Sequence, residues 1–217
     1  MKSSLLRILV CSAATFALGV GMGTAQDLTR VSKTMTDYTP VTQERLNAAD
    51  PSDWLLPKGN YQGWMYSALK QGTPEIVSQL KPVWVYSTGL DSGHQAPPMV
   101  NDGGMFVSTP YNHVLALDAK TGNLFWRYEH DNPADLAVMH NTSRGVALWQ
   151  DRVYAAGLDG TLNALDAKTG KRLCQAEIGD WEIGAYITTA PMPVDGKIIV
   201  GPSGGEYGVR GFLEAMD

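Results

Sequence analysis

The chain has 217 residues, with 17 Lys and Arg against 22 Asp and Glu and a formal net charge of −5. This balance gives no electrostatic case for nucleic acid, which needs a clustered basic face, and the charge is too small to favour disorder. With 44% hydrophobic residues, six tryptophans and 23 glycines, the composition is that of a globular protein.

The first 25 residues have the layout of a secretory signal peptide. Basic residues precede an apolar run from about 8 to 20, and small residues close the segment at 23–25. This order predicts export and cleavage near Ala25 and Gln26. The run is short for a membrane span and no second one follows, so we expect no stable span after cleavage. A retained N-terminal anchor is the alternative.

Cleavage there would remove Cys11 and leave Cys174 as the one cysteine of the exported chain. We therefore expect no internal disulfide in that chain. No histidine or carboxylate pattern around Cys174 indicates an activated nucleophile, so we expect a buried strand residue.

Residues 26–80 form a predicted extension that covers the regular part of the chain. The segments TQERLNAAD and TPEIVSQL each predict a short helix opened by a Thr cap with an acid nearby. The stretch between them, DWLLPKGNYQGWMYSAL, is aromatic and irregular. We expect it to pack on the strands that follow.

From residue 81 to 217 the sequence repeats itself. The heptapeptide ALDAKTG occurs twice, with Leu117 and Leu165 lying 48 positions apart, and GFLEAMD echoes it at the end. A period of 40 to 50 residues indicates stacked or radial units.

Each repeat contains short apolar runs of strand length, rich in Val, Ile, Tyr and Trp and separated by turns such as NDGG, LDGT and VDGK. DAKTG itself predicts a hairpin turn, in which Asp accepts backbone N–H bonds and Gly takes a positive φ. Four short strands per period predict a β-propeller blade. The predicted fold class is all-β, a partial propeller of about three to four blades. A solenoid is the alternative, although its repeats are usually shorter.

The unit Ala-x-Asp-x-x-Thr-Gly-x-x-x-Trp, from Ala116 to Trp126, resembles the tryptophan-docking motif of the quinoprotein alcohol dehydrogenases. These are periplasmic eight-bladed propellers that bind pyrroloquinoline quinone (PQQ). The segments LKPVWVYSTGLDSGHQAPPMV, TSRGVALW, ITTAP and GPSGGEYGVRGFLEAMD follow in the family's order, and the resemblance covers about residues 50–217. In the second copy, Cys174 stands where the tryptophan would be.

The resemblance implies a site for PQQ and a metal ion, usually calcium. In the family a Ser-Gly-x-Glu segment wraps one face of the cofactor and its glutamate ligates the metal, which here implies Ser203, Gly204, Gly205 and Glu206. Calcium prefers hard oxygen ligands, and glycine lets the main chain approach a flat ring closely. A Gly-rich hairpin with an exposed glutamate is the alternative.

Three further residues each match a position that contacts the cofactor in the family. Arg144 matches the arginine that pairs with the bound quinone, and a guanidinium suits carboxylate and carbonyl oxygens. A surface salt bridge is the alternative for Arg144. Thr188 matches a threonine that hydrogen-bonds a cofactor carboxylate. Gln95 stands where many relatives have a glutamate that contacts the quinone, so an amide replaces a charge there.

Two other features depart from the family pattern. Val138 and Met139 occupy the positions of a vicinal disulfide that often covers the cofactor, so this lid is absent. The chain ends at Asp217, inside the third repeat, before the family's remaining metal ligands and its aspartate base. We therefore expect no catalytic residue here and interpret the chain as the N-terminal part of a longer protein. A natural half-propeller completed by a partner is the alternative.

The resemblance thus implies part of a periplasmic enzyme that oxidises a primary alcohol by hydride transfer to PQQ. A calcium or lanthanide ion would act as Lewis acid, and cytochrome c would accept the electrons. A non-catalytic propeller that acts as a periplasmic scaffold is the alternative, and the losses at Gln95 and the cysteine pair favour it. Glu206 together with Arg144 argues against it, because a scaffold needs neither a metal carboxylate nor an anion-binding arginine.

Overall fold

The computed structural model describes residues 30–31 and 35–217. Within them the strands form three antiparallel sheets that follow one another along the chain. The predicted signal peptide and its cleavage site lie outside the described residues.

The first sheet has five strands. They are β1 (Arg30–Val31), β2 (Met99–Asn101), β3 (Gly104–Ser108), β4 (Val114–Asp118) and β5 (Leu124–Tyr128). The spatial order is β1-β5-β4-β3-β2, so the last four strands form a meander and β1 pairs with its outer edge.

The other two sheets repeat this meander. The second contains β6 (Ala147–Trp149), β7 (Arg152–Ala156), β8 (Thr161–Asp166) and β9 (Arg172–Glu177), and the third contains β10 (Met192–Val194), β11 (Lys197–Val200) and β12 (Glu214–Met216). In both of these sheets the strands pair in chain order. The strands β4, β8 and β12, which carry the three ALDAKTG-like sequences, each take the third place. The prediction of four-stranded repeats is confirmed by the first two sheets.

The DAKTG segments form the predicted hairpin turns. In the first copy the Asp118 carboxylate accepts hydrogen bonds from the backbone N–H groups of Lys120 and Thr121, at 2.8 and 3.0 Å. Gly122 closes this turn with a φ of 72°. Asp166 makes the equivalent bonds in the second copy, at 3.1 and 2.8 Å. The sequence therefore specifies these turns locally.

Trp126, on β5, joins the first sheet to the second. Its indole N–H donates a hydrogen bond to the Ala167 carbonyl at 3.0 Å, and its side chain is fully buried. The ring lies against Gly170, where an added Cβ would come within 2.4 Å of it. Because the large ring is buried and its one polar atom is satisfied, this contact fixes the second sheet beside the first.

Trp84 makes the same contact one repeat earlier. Its indole N–H donates to the Ala119 carbonyl at 3.0 Å, and an added Cβ at Gly122 would come within 2.6 Å of the ring. Around Trp84, the residues from 83 to 90 alternate between exposed and half-buried side chains, which is the pattern of a strand. Within residues 35–217, however, no strand pairs with this segment.

The first predicted helix is present and the second is not. The helix α1 (Gln43–Asn47) begins after Thr42, whose hydroxyl accepts a hydrogen bond from the Arg45 backbone. In the TPEIVSQL segment the structure has only a 3-10 turn, Val77–Gln79, without a side-chain cap. This turn buries no residue, and a short helix without a packed apolar face is not stable.

A hydrophobic core lies between the N-terminal segment and the first two sheets. It includes Tyr38, Val41, Leu46, Leu55, Leu56, Phe106, Trp126, Leu148 and Leu165. A second cluster, with Ala147, Leu162, Ile187 and Ile198, lies between the second and third sheets. Each sheet is therefore packed against the next one.

The expectation of a lone thiol at Cys174 does not match the structure, in which Cys174 is disulfide-bonded. That expectation assumed the removal of Cys11, the chain's other cysteine, which lies outside the described residues. In the part of the chain that the structure describes, no helix has the length and apolarity needed to span a membrane.

Candidate functional site

The predicted site residues lie at one end of the second and third sheets. Arg144 precedes β6 and Thr188 precedes β10, whereas residues 201–213 connect β11 to β12. In an antiparallel meander, the start of the first strand and the loop between the second and third strands lie at the same end. The topology alone therefore brings Thr188 to the end of the sheet where the loop with Ser203 and Glu206 lies, and Arg144 contacts Thr188 from the neighbouring sheet.

Arg144, Thr188 and Ser203 form a hydrogen-bonded series. The Arg144 guanidinium donates to the Thr188 hydroxyl, and this hydroxyl lies 2.8 Å from the Ser203 hydroxyl. The Arg144 backbone N–H also donates to the Thr188 carbonyl at 3.0 Å. Arg144 is exposed and Thr188 is buried. One terminal nitrogen of the guanidinium is thus held by Thr188, and four of its five N–H donors remain for other partners.

Gly204 is required by the backbone of the Gly-rich loop. Its φ is 106°, and an added Cβ would lie 1.9 Å from the Gly184 carbonyl oxygen, closer than any side chain tolerates. Gly205 differs, because an added Cβ there would meet nothing within 4 Å. Gly205 begins the 3-10 turn that carries Glu206, and the space around its Cα is open.

Glu206 is held by Tyr186. The Tyr186 hydroxyl donates a hydrogen bond to Glu206 Oε1. This bond lowers the pKa of Glu206 below its ordinary value, and the nearby His140 lowers it further, so the carboxylate is ionised at neutral pH. Burial, together with the carboxylate, raises the pKa of Tyr186 to about 12, so the phenol keeps its proton.

Gln95, Val138 and Met139 lie at the margin of this group. The Pro97 ring, two residues after Gln95, comes within 3.8 Å of a Cβ position at Gly145. Gln95 is therefore near the start of the second sheet, with its side chain exposed. Met139 is 51% exposed, and its backbone lies close enough to the Tyr186 hydroxyl to lower the pKa of that phenol slightly. Met139 is thus near the phenol that contacts Glu206.

A family model described as "PQQ: Glucose/ethanol/alcohol dehydrogenase, beta-propeller domain" matches residues 54–206. The chain belongs to this family of PQQ propeller dehydrogenases. The fold prediction, a partial quinoprotein propeller, is thereby confirmed.

Individual relatives in the family are also similar. The quinohemoprotein alcohol dehydrogenase ADH-IIG of Pseudomonas putida is 41% identical over 179 residues, 80% of this chain and 25% of that protein. The lanthanide-dependent methanol dehydrogenase of Methylacidiphilum fumariolicum is 38% identical over 174 residues, 77% of this chain and 28% of that protein. A solved europium-containing methanol dehydrogenase aligns with a TM-score of 0.75 at 37% identity, over 80% of this chain and 31% of that one. The chain spans about a quarter of the length of these curated relatives.

The donor set fits a PQQ dehydrogenase's cofactor and metal in chemical type. A guanidinium and two hydroxyls suit the carboxylates of an anionic quinone, and the ionised Glu206 suits a hard cation. Among the described residues, no three His, Cys, Asp or Glu side chains are grouped closely enough to hold a metal ion. A cation at Glu206 therefore needs further ligands from the quinone or from outside this group.

Two clefts of the described part of the chain are not lined by Arg144, Thr188 or Glu206. One of about 910 Å³ runs between the N-terminal segment and the first sheet, and one of about 500 Å³ includes Tyr207 and Arg210. Neither cleft therefore encloses the candidate site.

Sequence reasoning missed Tyr186. It lies two residues before Thr188 and adjoins the ITTAP segment, but no local pattern connects it to Glu206, which is 20 positions away. An aromatic residue in a strand-like segment is ordinarily a packing residue. Only the folded loop shows that this phenol contacts the carboxylate.

Proposed function

We propose that this chain forms one wall of the cofactor site in a PQQ- and metal-dependent alcohol dehydrogenase. The observation that carries the proposal is the series from Arg144 through Thr188 to Ser203, which ends in the loop that presents Glu206. An anion-binding group and a cation-binding carboxylate are thereby held on one surface. A flat anionic quinone with a bound cation requires both.

The chain's own residues have separate parts in this site. Arg144 binds quinone oxygens through the N–H groups that do not bond to Thr188, and the Thr188 hydroxyl orients the guanidinium. Ser203 and the open backbone at Gly205 let the loop approach one face of the ring. Glu206 ligates the cation through its ionised carboxylate. When bound, PQQ supplies the hydride-accepting chemistry and the cation supplies a Lewis acid.

The names of the relatives support an alcohol as the substrate. They include alcohol dehydrogenases and methanol dehydrogenases, one named as lanthanide-dependent and one as methanol dehydrogenase [cytochrome c] subunit 1, from Methylobacterium organophilum. We infer that a primary alcohol is oxidised, that the cation is calcium or a lanthanide, and that a cytochrome c takes the electrons. The base that accepts the alcohol proton comes from outside the described residues.

The N-terminal sequence supports a periplasmic location. Its basic start, apolar run and small residues match a signal peptide. N-terminal sequencing of the protein isolated from the periplasm tests this, with Gln26 as the expected first residue. A cytoplasmic protein that begins at Met1 would contradict export.

The activity is tested by reconstituting the complete gene product with PQQ and with calcium or lanthanum. Ethanol-dependent reduction of an artificial dye is expected, together with the absorbance of bound quinone. A protein that shows neither signal would be a non-catalytic propeller, and the enzyme proposal would be withdrawn. Quinone absorbance without dye reduction would limit the proposal to cofactor binding.

A further inference from the structure

The Glu206 side chain has little to hold it apart from one contact. Glu206 is exposed and lies in a three-residue 3-10 turn with left-handed glycines on both sides, Gly204 and Gly208. Among residues 35–217, the one side chain that hydrogen-bonds to its carboxylate is Tyr186. A glutamate has three rotatable side-chain bonds, so without that bond it would sample many orientations.

Tyr186 is fixed at several points. The residue as a whole is only 4% exposed, and its ring meets that of Tyr207 edge-on at a centroid distance of 6.0 Å. Its carbonyl accepts a hydrogen bond from the Ser203 N–H at 2.7 Å, which ties it to the start of the Gly-rich loop. The phenol is therefore a rigid donor aimed at a mobile carboxylate.

We propose that Tyr186 is the positioning residue for the metal carboxylate, holding Glu206 Oε1 so that its remaining lone pairs face the cation. This inference rests on the proposed function. A carboxylate has about four lone-pair sites, so one hydrogen bond leaves the others available to a metal. Partners that orient a ligating side chain typically change metal affinity 10- to 100-fold when they are removed.

The Tyr186 phenol could instead compete with the cation for the Glu206 carboxylate, and the two arrangements predict opposite effects. In a competing arrangement, removal of the hydroxyl would release Glu206 and tighten cation binding. In a positioning arrangement, the same removal loosens it. The sign of the change in cation affinity therefore distinguishes the two.

The test compares Tyr186→Phe with Tyr207→Phe in the complete gene product. Both substitutions remove one phenol oxygen and keep the ring, but only Tyr186 hydrogen-bonds to Glu206 among the described side chains. Binding of calcium alone is measured by calorimetry. Binding of terbium alone is measured separately by its luminescence. Tyr186→Phe is expected to weaken cation binding about 10- to 100-fold, whereas Tyr207→Phe leaves it unchanged.

A second measurement separates positioning from a general structural effect. With calcium in large excess, Tyr186→Phe is expected to bind PQQ as tightly as the unsubstituted protein, because saturation overcomes a weakened cation site. A merely structural defect would lower PQQ affinity at every calcium concentration, and that result would overturn the inference.

Other outcomes are equally decisive. Unchanged or tighter cation binding in Tyr186→Phe, or an equal loss in Tyr207→Phe, overturns the role of Tyr186. If Glu206→Gln abolishes cation binding while Tyr186→Phe does not affect it, the proposed function stands and this inference alone fails. If the unsubstituted protein binds neither ion, the metal role of Glu206 fails and this inference fails with it.

Discussion

The guanidinium of Arg144, at the start of the second sheet, donates a hydrogen bond to the hydroxyl of Thr188, at the start of the third. That hydroxyl in turn lies 2.8 Å from Ser203 Oγ. A charged group from one sheet is therefore fixed against the Gly-rich loop of the next. This relationship makes the proposed site depend on how adjacent sheets dock, and it leads to predictions for both binding and stability.

Thr188→Val should weaken PQQ binding about 10-fold, because it removes the hydroxyl that orients Arg144 while keeping the side chain's shape. A hydrogen bond to a charged group contributes about 1.5–3 kcal/mol. Thr189→Val is the matched control, since the Thr189 hydroxyl bonds to the Gly201 carbonyl and not to Arg144. The measurement is titration of quinone absorbance in the complete protein. Equal affinities for the two variants would show that Thr188 does not position Arg144.

Gly170→Ala should destabilise the protein more than Gly196→Ala. Both glycines have positive φ, 73° and 82°, so the backbone strain from an added Cβ is shared. At Gly170 the Cβ would also lie 2.4 Å from the Trp126 ring, whereas at Gly196 it would meet nothing within 4 Å. Overpacking of this kind costs about 1–3 kcal/mol. Urea unfolding of both variants measures the difference, and equal stabilities would mean that the tryptophan contact is not tightly packed.

The contact between His130 and Asp159 should make the free energy of unfolding depend on pH in the acidic range. His130 Nε2 lies 3.0 Å from Asp159 Oδ2. Burial alone would raise the pKa of Asp159, but the hydrogen bonds from His130 and Thr161 lower it overall, below its ordinary value of 3.8. The carboxylate therefore contributes stability that is fully present above that ordinary pKa and is lost as pH falls through the folded-state pKa.

Asp159→Asn should accordingly lower the free energy of unfolding by about 1 kcal/mol at neutral pH, because the charge-assisted bond is lost. The difference from the unsubstituted protein should shrink below about pH 4. Denaturant unfolding from pH 3 to 7 measures this, with the exposed Asp135→Asn as control. A difference that stays constant through that range would contradict the lowered pKa of Asp159.

The extended segment around Trp84 should promote self-association of the 217-residue chain. Val83 and Val85 are 86% and 87% exposed, and no strand within the described residues pairs with this segment. Unpaired strand backbone with apolar side chains recruits other strands. Replacing both valines with lysine should reduce oligomers in sedimentation velocity, whereas Val77→Lys, in the 3-10 turn, should not. Equal association in both variants would place the contact elsewhere.

The sequence predicted local features well and long-range contacts unevenly. The DAKTG turns depend on an aspartate and a glycine four positions apart, so the pattern is sufficient to predict them. The likeness to a known family also named Arg144, Thr188 and Ser203, which the structure brings together. The family resemblance also implied that these residues bind the cofactor, and that role stays a prediction.

Two features could not be derived in this way. Trp84 precedes the first ALDAKTG copy, so the repeat pattern gave no reason to compare it with Trp126, although both indoles bond to the same position of a turn. Its partner glycine, Gly122, is 38 positions away and becomes its neighbour only when the sheet forms. The prediction of a helix in TPEIVSQL was wrong, because capping signals do not supply the buried apolar face that a short helix needs.

The most direct test of the account is a double-mutant cycle on PQQ binding. Quinone absorbance is titrated at several calcium concentrations in the complete protein and in the variants Arg144→Gln, Glu206→Gln and both together. We expect each single variant to weaken PQQ binding, with Glu206→Gln also removing its calcium dependence, and the double variant to lose less than the sum of the two. If both single variants bind PQQ as tightly as the unsubstituted protein and with the same calcium dependence, that result would contradict a shared site for the quinone and its cation.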